Sequence, residues 1–321
     1  MGQWKKYRTR AGGLVTAQPT DRRVTFRDVL ANREFRALYA AQAFSIIGDQ
    51  LARIAVALLV FNQSKSPLLT ALSLGLSYLP WAVAGPLLGG IADRLPRRDV
   101  MVACDVGRAV LVLGLAIPGL PLGVVFPLLV VVASLQPPFN TARAAMLPDV
   151  VGEGETFAVA STLSNTTVQL GSVFGWAIGG AAVALIGSRT AILVDAGTFA
   201  LSAWLVLRNV VAREAADAGQ RDVLAELRQG AQVVFGDPEL RWLVLTASVV
   251  IGAALSTAGV AVPYAAAHHG GAATAGLLVA AMELGVVVGT VVLGRALRPQ
   301  VAERMILPGA LAATGMQHDA D

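Results

Sequence analysis

The segment Gly89-Gly90-Ile91-Ala92-Asp93-Arg94-Leu95-Pro96-Arg97-Arg98 passes from small apolar residues into a dense group of charges. Apolar stretches flank it on both sides, at roughly 68–91 and 100–118. A helix needs about 20 mostly apolar residues to cross a bilayer. The segment is therefore typical of a short charged loop between two membrane-spanning helices, and it predicts a polytopic membrane protein.

The composition of the whole chain agrees with this prediction. Of the 321 residues, 55% are hydrophobic and 14% are charged, and the mean hydropathy is +0.64. A soluble domain carries about 25% charged residues, so disorder, a secreted disulfide scaffold and an ordinary soluble enzyme are excluded. The single cysteine, Cys104, excludes an intrachain disulfide.

Working outward from the charged loop, we predict eight spans from the apolar stretches. They lie at roughly 38–61, 68–91, 100–118, 122–142, 158–186, 190–207, 241–263 and 273–294, and part of a ninth begins near 304. The N-terminal residues before the first span are polar and basic and do not resemble a signal peptide. The predicted fold class is an all-α polytopic membrane protein with about eight full spans.

The distribution of Lys and Arg predicts the orientation of these spans. With the N-terminus in the cytoplasm, 21 of the 25 basic residues fall in inner segments, and two, Lys65 and Arg189, fall in outer loops. This asymmetry follows the positive-inside rule. We therefore expect a multi-pass protein of the cell membrane with a cytoplasmic N-terminus, and the basic isoelectric point requires no nucleic acid partner.

An internal repeat divides the chain. The segment 32–38 aligns with 237–243, and the segment 85–94 aligns with 289–298, at offsets of 205 and 204. Two matches at nearly one offset predict a duplicated six-helix unit, as in transporters with parallel halves.

The predicted domains follow from this repeat. They are a cytoplasmic tail (1–37), a six-helix half (38–207), a central loop (208–240) and a second half (241–321). The same offset would carry the second half beyond residue 400, and the sequence ends at 321. We therefore expect the second half to be incomplete, through a truncated gene, a frameshift or a fragment.

The charged loop resembles the signature that joins the second and third helices in the major facilitator superfamily, which runs Gly-x-x-x-Asp-Arg-x-Gly-Arg-Arg/Lys. Five residues match, and Pro96 stands where the family usually has glycine. The resemblance implies a six-plus-six helix architecture, with an aspartate that contacts helix 11 and arginines in a cytoplasmic charge relay. The alternative is that the arginines only fix the orientation. The predicted gating residues are Gly89, Asp93, Arg94, Arg97, Arg98, Asp105 and Arg108.

Four shorter matches narrow the resemblance. Phe35-Arg36-Ala37-Leu38, Gly48-Asp49, Asp105-x-x-Arg108 and Ala145-Met146-Leu147-Pro148-Asp149 are similar to the branch that contains enterobactin exporters and related efflux permeases. This likeness implies export, and it does not indicate which substrate is carried.

Polar residues inside the first predicted span form a stripe. Gln42, Ser45, Asp49 and Arg53 recur at helical spacing. A charge in the middle of a membrane costs about 2.5–3.5 kcal/mol on insertion scales, so such residues are paired or line a watery cavity. Asp49 and Arg53 are either a structural ion pair within one helix or groups that respond to protons or substrate.

Further charges lie in other predicted spans. Asp105 and Arg108 are three residues apart, which favours a structural pair that also belongs to the gating network. Glu283 has no cation on its own helix, which suits a proton carrier or a partner for a cationic substrate; the alternative is a structural partner on one of the missing helices. Asp195 gives a weaker signal, and Arg143 is expected at the inner end of the fourth span as an orientation signal.

The fifth predicted span combines two faces. Gly171, Gly175 and Gly179 form a small-residue face for helix packing. It resembles the antiporter signature of the superfamily, although Trp176 stands where that signature has proline, and ordinary close packing is the alternative. On another face, Asn165, Gln169, Ser172 and Trp176 are candidates to line a cavity.

Several chemical signatures are absent from the sequence. It contains no phosphate-binding loop, no catalytic triad and no Cys-x-x-Cys pair. His268 and His269 are adjacent without carboxylates, so we expect neither a metal nor another cofactor. Apolar residues recur at helical spacing in the central loop and predict a helix on the inner membrane surface: Val223, Leu224, Leu227, Ala231 and Val234.

These observations predict a secondary active transporter rather than an enzyme. We expect proton-coupled efflux of a small molecule, such as a drug, siderophore or metabolite, by alternating access. Its partners would be the bilayer, the small-molecule substrate and protons. The alternative is a truncated remnant that does not transport, or a membrane subunit that needs a partner.

Overall fold

The computed structural model describes residues 24–92, 95–213 and 258–296, together with a few positions between 232 and 242. The predicted central-loop helix and the expected ninth span lie outside the described residues, as do Asp93, Arg94 and most of the seventh predicted span.

The described part of the chain is helical, without strands. Its helices are α1 (Phe26–Ala31), α2 (Arg33–Ser64), α3 (Pro67–Ala92), α4 (Arg97–Leu115), α5 (Leu122–Ser134), α6 (Gln136–Val151), α7 (Glu155–Ile186), α8 (Ser188–Asn209), α9 (Ala258–Ala267) and α10 (Ala272–Ala296). The predicted all-α membrane fold is confirmed.

Five stretches of the described residues are long and apolar enough to cross a bilayer. They are Arg33–Ser64, Leu122–Val151, Glu155–Ile186, Ser188–Asn209 and Ala272–Gly289. The helix α4 coincides with the third predicted span, but its first turn carries Arg97, Arg98 and Asp99, and Asp105 and Arg108 follow. Asp105 and Arg108 are buried, so these two charges are accommodated by packing against other helices.

The helix α2 begins at Arg33, earlier than the apolar pattern alone indicates. Asn32 caps it, because its Oδ1 accepts hydrogen bonds from the backbone N–H of Glu34 and Phe35 at 2.9 and 3.2 Å. The Nδ2 of Asn32 also donates to the carbonyl oxygen of Val150 at 2.8 Å. One side chain thus starts α2 and ties it to the end of α6.

The fourth predicted span, 122–142, is interrupted. The structure has α5 and α6 joined at Leu135, and α6 continues to Val151. Pro137 and Pro138 lack the N–H groups that would continue the hydrogen bonding of α5, so the helix breaks just before them. Proline is tolerated in a first helical turn, and a new helix therefore starts at Gln136.

The glycine face of α7 packs against α2. A Cβ atom at Gly171 would lie 2.7 Å from Ile46, and one at Gly175 would lie 2.7 Å from Gln50. At Gly179 the nearest atom would be Cδ1 of Ile54, at 3.4 Å. The absence of side chains on this face lets the two long helices approach closely.

Among the described residues, α9 and α10 each approach an earlier helix closely. A Cβ atom at Gly180 of α7 would lie 2.6 Å from the carbonyl oxygen of Ala272 and 2.8 Å from the Cα of Gly276. A Cβ atom at Gly259 of α9 would lie 2.7 Å from the Cβ of Ala71 in α3. These close approaches seat α10 on α7 and α9 on α3.

Candidate functional site

The polar stripe of α2 finds its partners on other helices. Gln42 Oε1 accepts a hydrogen bond from Arg143 of α6 at 2.9 Å. Ser45 Oγ accepts a long bond from Arg108 of α4 at 3.4 Å. The stripe is therefore a seam along which three helices meet.

Asp49 lies at the centre of this seam. Its Oδ2 accepts a hydrogen bond from Nε2 of Gln136 at 3.0 Å. Its Oδ1 lies 4.0 Å from a guanidinium nitrogen of Arg108, and 19% of its side chain is exposed. Asp49 is thus in contact with a cation and still open to a cavity.

Arg108 is almost completely buried, with 1% of its side chain exposed. Its Nη2 donates to Oδ1 of Asp105 at 2.5 Å, and Oδ2 of Asp105 accepts from Ser202 of α8 at 2.5 Å. Its guanidinium carbon lies 5.0 Å and 4.2 Å from the ring centres of Phe139 and Phe199. Pairing and cation–π contacts together hold this charge inside the bundle.

Arg53 does not form an ion pair with Asp49 on its own helix, which is one of the two alternatives that the sequence leaves open. Its Nη1 donates to Gln50 Oε1 and to the hydroxyl of Tyr78, both at 3.0 Å. Its guanidinium also stacks over the Tyr78 ring at 4.8 Å. Arg53 and Asp49 therefore face the same space with separate partners.

Asp195 of α8 completes the group. It is 1% exposed, and its Oδ1 lies 3.4 Å from the Thr198 hydroxyl on its own helix. It packs against the backbone of Gly48, beside Asp49. Asp49 repels this carboxyl group, and Arg108 and Arg53 attract it.

These charges border one cavity inside the first half of the protein. The cavity has a volume of about 60 Å³, which is room for a few water molecules. Its polar lining comes from five helices and consists of Asp49, Arg53, Ser73, Ser77, Arg108, Gln136 and Asp195. The arrangement can bind water, take up a proton on a carboxylate or bind a small cationic group.

The other predicted cavity residues lie elsewhere. Glu283 of α10 is half-buried and does not line the cavity, although its charge attracts that of Arg53. Asn165 and Gln169 of α7 are exposed and do not border the cavity, and Trp176 is buried in the hydrophobic core.

The described part of the charged loop is tied to α6. Nη1 of Arg97 donates to Oδ2 of Asp149 and to the carbonyl oxygen of Ala145, both at 2.7 Å. Arg98 lies 3.1 Å from Asp99 on its own helix. Gly89 belongs to the last turns of α3.

A second ionic contact joins the ends of α2 and α8. Arg213 donates from both terminal nitrogens to the carboxylate of Glu34, at 2.6 and 2.9 Å. The Glu34 carboxylate also accepts a hydrogen bond from the Val211 N–H at 2.9 Å. The hydrogen bonds to Glu34 raise the pKa of Arg213 above its ordinary value. The chain that leaves α8 is therefore held to the start of α2.

The structure adds two features to the predicted site. Asp195, Thr198 and Ser202 recur at helical spacing in an otherwise apolar helix, and this pattern predicts a polar stripe on α8 like that on α2. Arg143 was expected at the end of its span, but it lies in the middle of α6 and donates to Gln42. The reason is that α6 starts late, at Gln136, and runs on to Val151.

The fold and the buried charges define a polytopic helical membrane protein with a polar cavity in one half. The sequence model of the Major Facilitator Superfamily matches residues 38–317, so the chain belongs to that family. The family points to a transporter rather than an enzyme.

Individual relatives agree with this assignment. An uncharacterized MFS-type transporter, YfiS, of Bacillus subtilis (strain 168) is 29% identical over 67% of this chain and 52% of its own length. The multidrug efflux pump Tap of Mycolicibacterium fortuitum is 30% identical over 64% of this chain and 53% of its own. The chain thus spans about half the length of the curated relatives it matches.

A solved structure shares the fold. It is a bacterial homologue of the human lysosomal transporter Spinster, in an inward-facing and unoccupied conformation. The TM-score is 0.61 at 16% identity, over 82% of this chain and 61% of the other.

Proposed function

We propose that this chain acts in secondary active transport and exports a small molecule in exchange for protons. Access to the midplane would alternate between the two membrane faces as the two halves rock. The observation that carries the proposal is the cavity between Asp49, Asp195 and Arg108, which lies inside a helical bundle of a transporter family.

The charge balance immediately around the cavity favours a proton as the coupling ion. Three carboxyl groups, those of Asp49, Asp105 and Asp195, face two guanidinium groups, those of Arg53 and Arg108. Asp105 is paired with Arg108 at 2.5 Å. One carboxylate is in excess when all are ionised, and an uncompensated buried charge is costly. Uptake of one proton, shared by Asp49 and Asp195, would neutralise the site.

In this proposal the second half contributes one further carboxyl group, that of Glu283. We take Glu283 on α10 and Arg53 on α2 to attract one another across the boundary between the proposed halves. A change in the protonation of Asp49 alters the field at Arg53 and hence its attraction to Glu283. In this scheme the proton biases how the halves sit together, and Glu283 is also available to a cationic substrate.

The charged loop would stabilise one of the two states. Arg97 holds the start of α4 to the end of α6 through Asp149. We assign Gly89, Asp93, Arg94 and Arg98 to the same latch, as the superfamily signature implies. The contact between Arg97 and Asp149 would be present in only one of the two states. The protein would then leave that state more slowly than it enters it.

The test uses the purified 321-residue chain in liposomes that contain a pH-sensitive dye. Ethidium is the probe, because one relative is a multidrug efflux pump. We expect ethidium to drive proton movement through the unmodified chain, and Asp49→Asn and Asp195→Asn to abolish it. Glu153→Gln is the matched control, since Glu153 is exposed between α6 and α7 and lies away from the cavity.

Two outcomes would overturn the proposal. Proton movement of ordinary size in Asp49→Asn would remove the aspartate from the coupling step. No ethidium-dependent proton movement in the unmodified chain would instead favour a remnant that does not transport, or a subunit that needs a partner.

A further inference from the structure

A basic groove lies at one end of the bundle, between the first turns of α2 and the last turn of α8. Its volume is about 490 Å³, and it is far from the polar cavity. Its lining consists of Arg33, Arg36, Ala37, Ala40, Leu205 and Asn209. The groove thus combines two guanidinium groups with a small apolar surface.

The positive charge of the groove is not neutralised by the described part of the protein. Among the described residues, no carboxylate lies within 4.0 Å of Arg33, Arg36 or Arg208. Arg33 makes one long hydrogen bond, to Oδ1 of Asn209 at 3.4 Å. The nearby carboxylate of Glu34 is already bound to Arg213. The guanidinium groups of the groove therefore have donors to spare.

The surface beside the groove is suited to lipid. Trp204 and Leu207 on α8 are 52% and 53% exposed, and the guanidinium of Arg208 lies 5.9 Å from the Trp204 ring centre. Tryptophan and arginine near the end of a spanning helix mark the level of the lipid headgroups. The groove is consequently placed where the polar headgroups of the bilayer begin.

We propose that this groove binds the phosphate of an anionic phospholipid. Guanidinium groups bind phosphate with two parallel hydrogen bonds, and basic pockets between spanning helices bind anionic headgroups. Ala37, Ala40 and Leu205 offer an apolar floor that a free phosphate ion does not use. A lipid satisfies both features, because its acyl chains run along the exposed apolar face of α8. The inference does not depend on the transport proposal.

The test uses the full chain, purified in a mild detergent. Phosphatidylglycerol, phosphatidylcholine or inorganic phosphate is added, and bound lipid is counted by native mass spectrometry alongside the thermal unfolding midpoint. We expect one phosphatidylglycerol to be retained and to raise the midpoint, whereas the other two additives have little effect. Each arginine near an anionic surface changes affinity about fivefold, so Arg33→Gln with Arg36→Gln should weaken retention by roughly 25-fold.

Arg27→Gln is the matched control. Arg27 is exposed on α1, which leads directly into α2, and it does not line the groove. This variant removes one positive charge near the same end of the protein, as each of the two groove substitutions does, and it should retain the lipid. Arg36→Lys should keep part of the binding, which separates charge from bidentate geometry.

Three results would overturn the inference. The first is equal retention of phosphatidylglycerol by the double variant and the unmodified chain. The second is an equal loss in Arg27→Gln, which would indicate a general effect of net charge. The third is competition by inorganic phosphate at the concentration of the lipid, which would indicate a site for a soluble anion.

Discussion

Gly48 of α2 and Asp195 of α8 are in direct contact: a Cβ atom at position 48 would collide with Oδ1 of Asp195 and with the hydroxyl of Thr198. The missing side chain lets a carboxyl group on one helix approach the backbone of another. It also places Asp195 beside Asp49, which follows Gly48 in the chain. The packing of α2 on α8 and the composition of the cavity therefore depend on the same glycine.

Gly48→Ala should destabilise the protein. Overpacking a well-filled site costs about 1–3 kcal/mol, and here the new methyl group must displace Asp195 or Thr198. SDS-induced unfolding in mixed micelles measures the loss. Gly197→Ala on α8 is the control, because nothing lies within 4 Å of a Cβ atom there; equal stability of the two variants would contradict the prediction.

Arg108→Met should be more damaging than loss of the whole Asp105–Arg108 pair. Removing one member of a buried ion pair costs about 3–5 kcal/mol, and an apolar replacement of both is often neutral. We expect the double variant Asp105→Leu with Arg108→Met to regain most of the stability that Arg108→Met loses, in the same unfolding assay. If the double variant is instead less stable than Arg108→Met alone, the unpaired charge of Asp105 is not the origin of the destabilisation.

Gly276→Val should weaken the contact between the halves. A Cβ atom at Gly276 would meet the backbone of Trp176 and Gly180 in α7, so a larger side chain forces α10 away. Limited proteolysis of the purified chain should then cleave residues near α10 faster, at least severalfold. Gly285→Val on the same helix, where nothing lies within 4 Å of a Cβ atom, should leave the rate unchanged.

The contact between Arg213 and Glu34 should contribute modestly to the free energy of unfolding. Both side chains are partly exposed, at 29% and 15%, so we expect a coupling energy of about 0.5–1.5 kcal/mol. A double-mutant cycle with Arg213→Gln and Glu34→Gln measures it directly. The coupling should decrease in high salt, because screening acts on exposed charges; a coupling near zero at low salt would argue against the contact.

Much of the fold follows from the sequence because membrane spans are set by length and apolarity. The spacing of Gln42, Ser45, Asp49 and Arg53 also predicts one polar face of α2. The prediction did not extend to the partners on that face. Asp49 meets Gln136 because α6 starts at a proline break, and a hydropathy pattern averages across such a break.

The buried charges show a second limit of the sequence. Spacing within one helix suggested a pair between Asp49 and Arg53. In the structure Arg53 instead donates a hydrogen bond to Tyr78 on α3. Contacts between helices depend on crossing angles and on the glycines that allow close approach, and one sequence gives neither directly. Asn165 and Gln169 illustrate the same point, because helical spacing alone does not tell which face of α7 meets the cavity.

The seam along α2 has a consequence for biosynthesis. Among the described residues, the hydrogen-bond partners of its stripe on other helices are Tyr78, Arg108, Gln136 and Arg143, and all of them precede α7 in the chain. A ribosome has therefore delivered every one of them to the membrane before it starts α9. The charged helices can leave the insertion machinery already paired, and the order of synthesis itself protects the polar core from lipid.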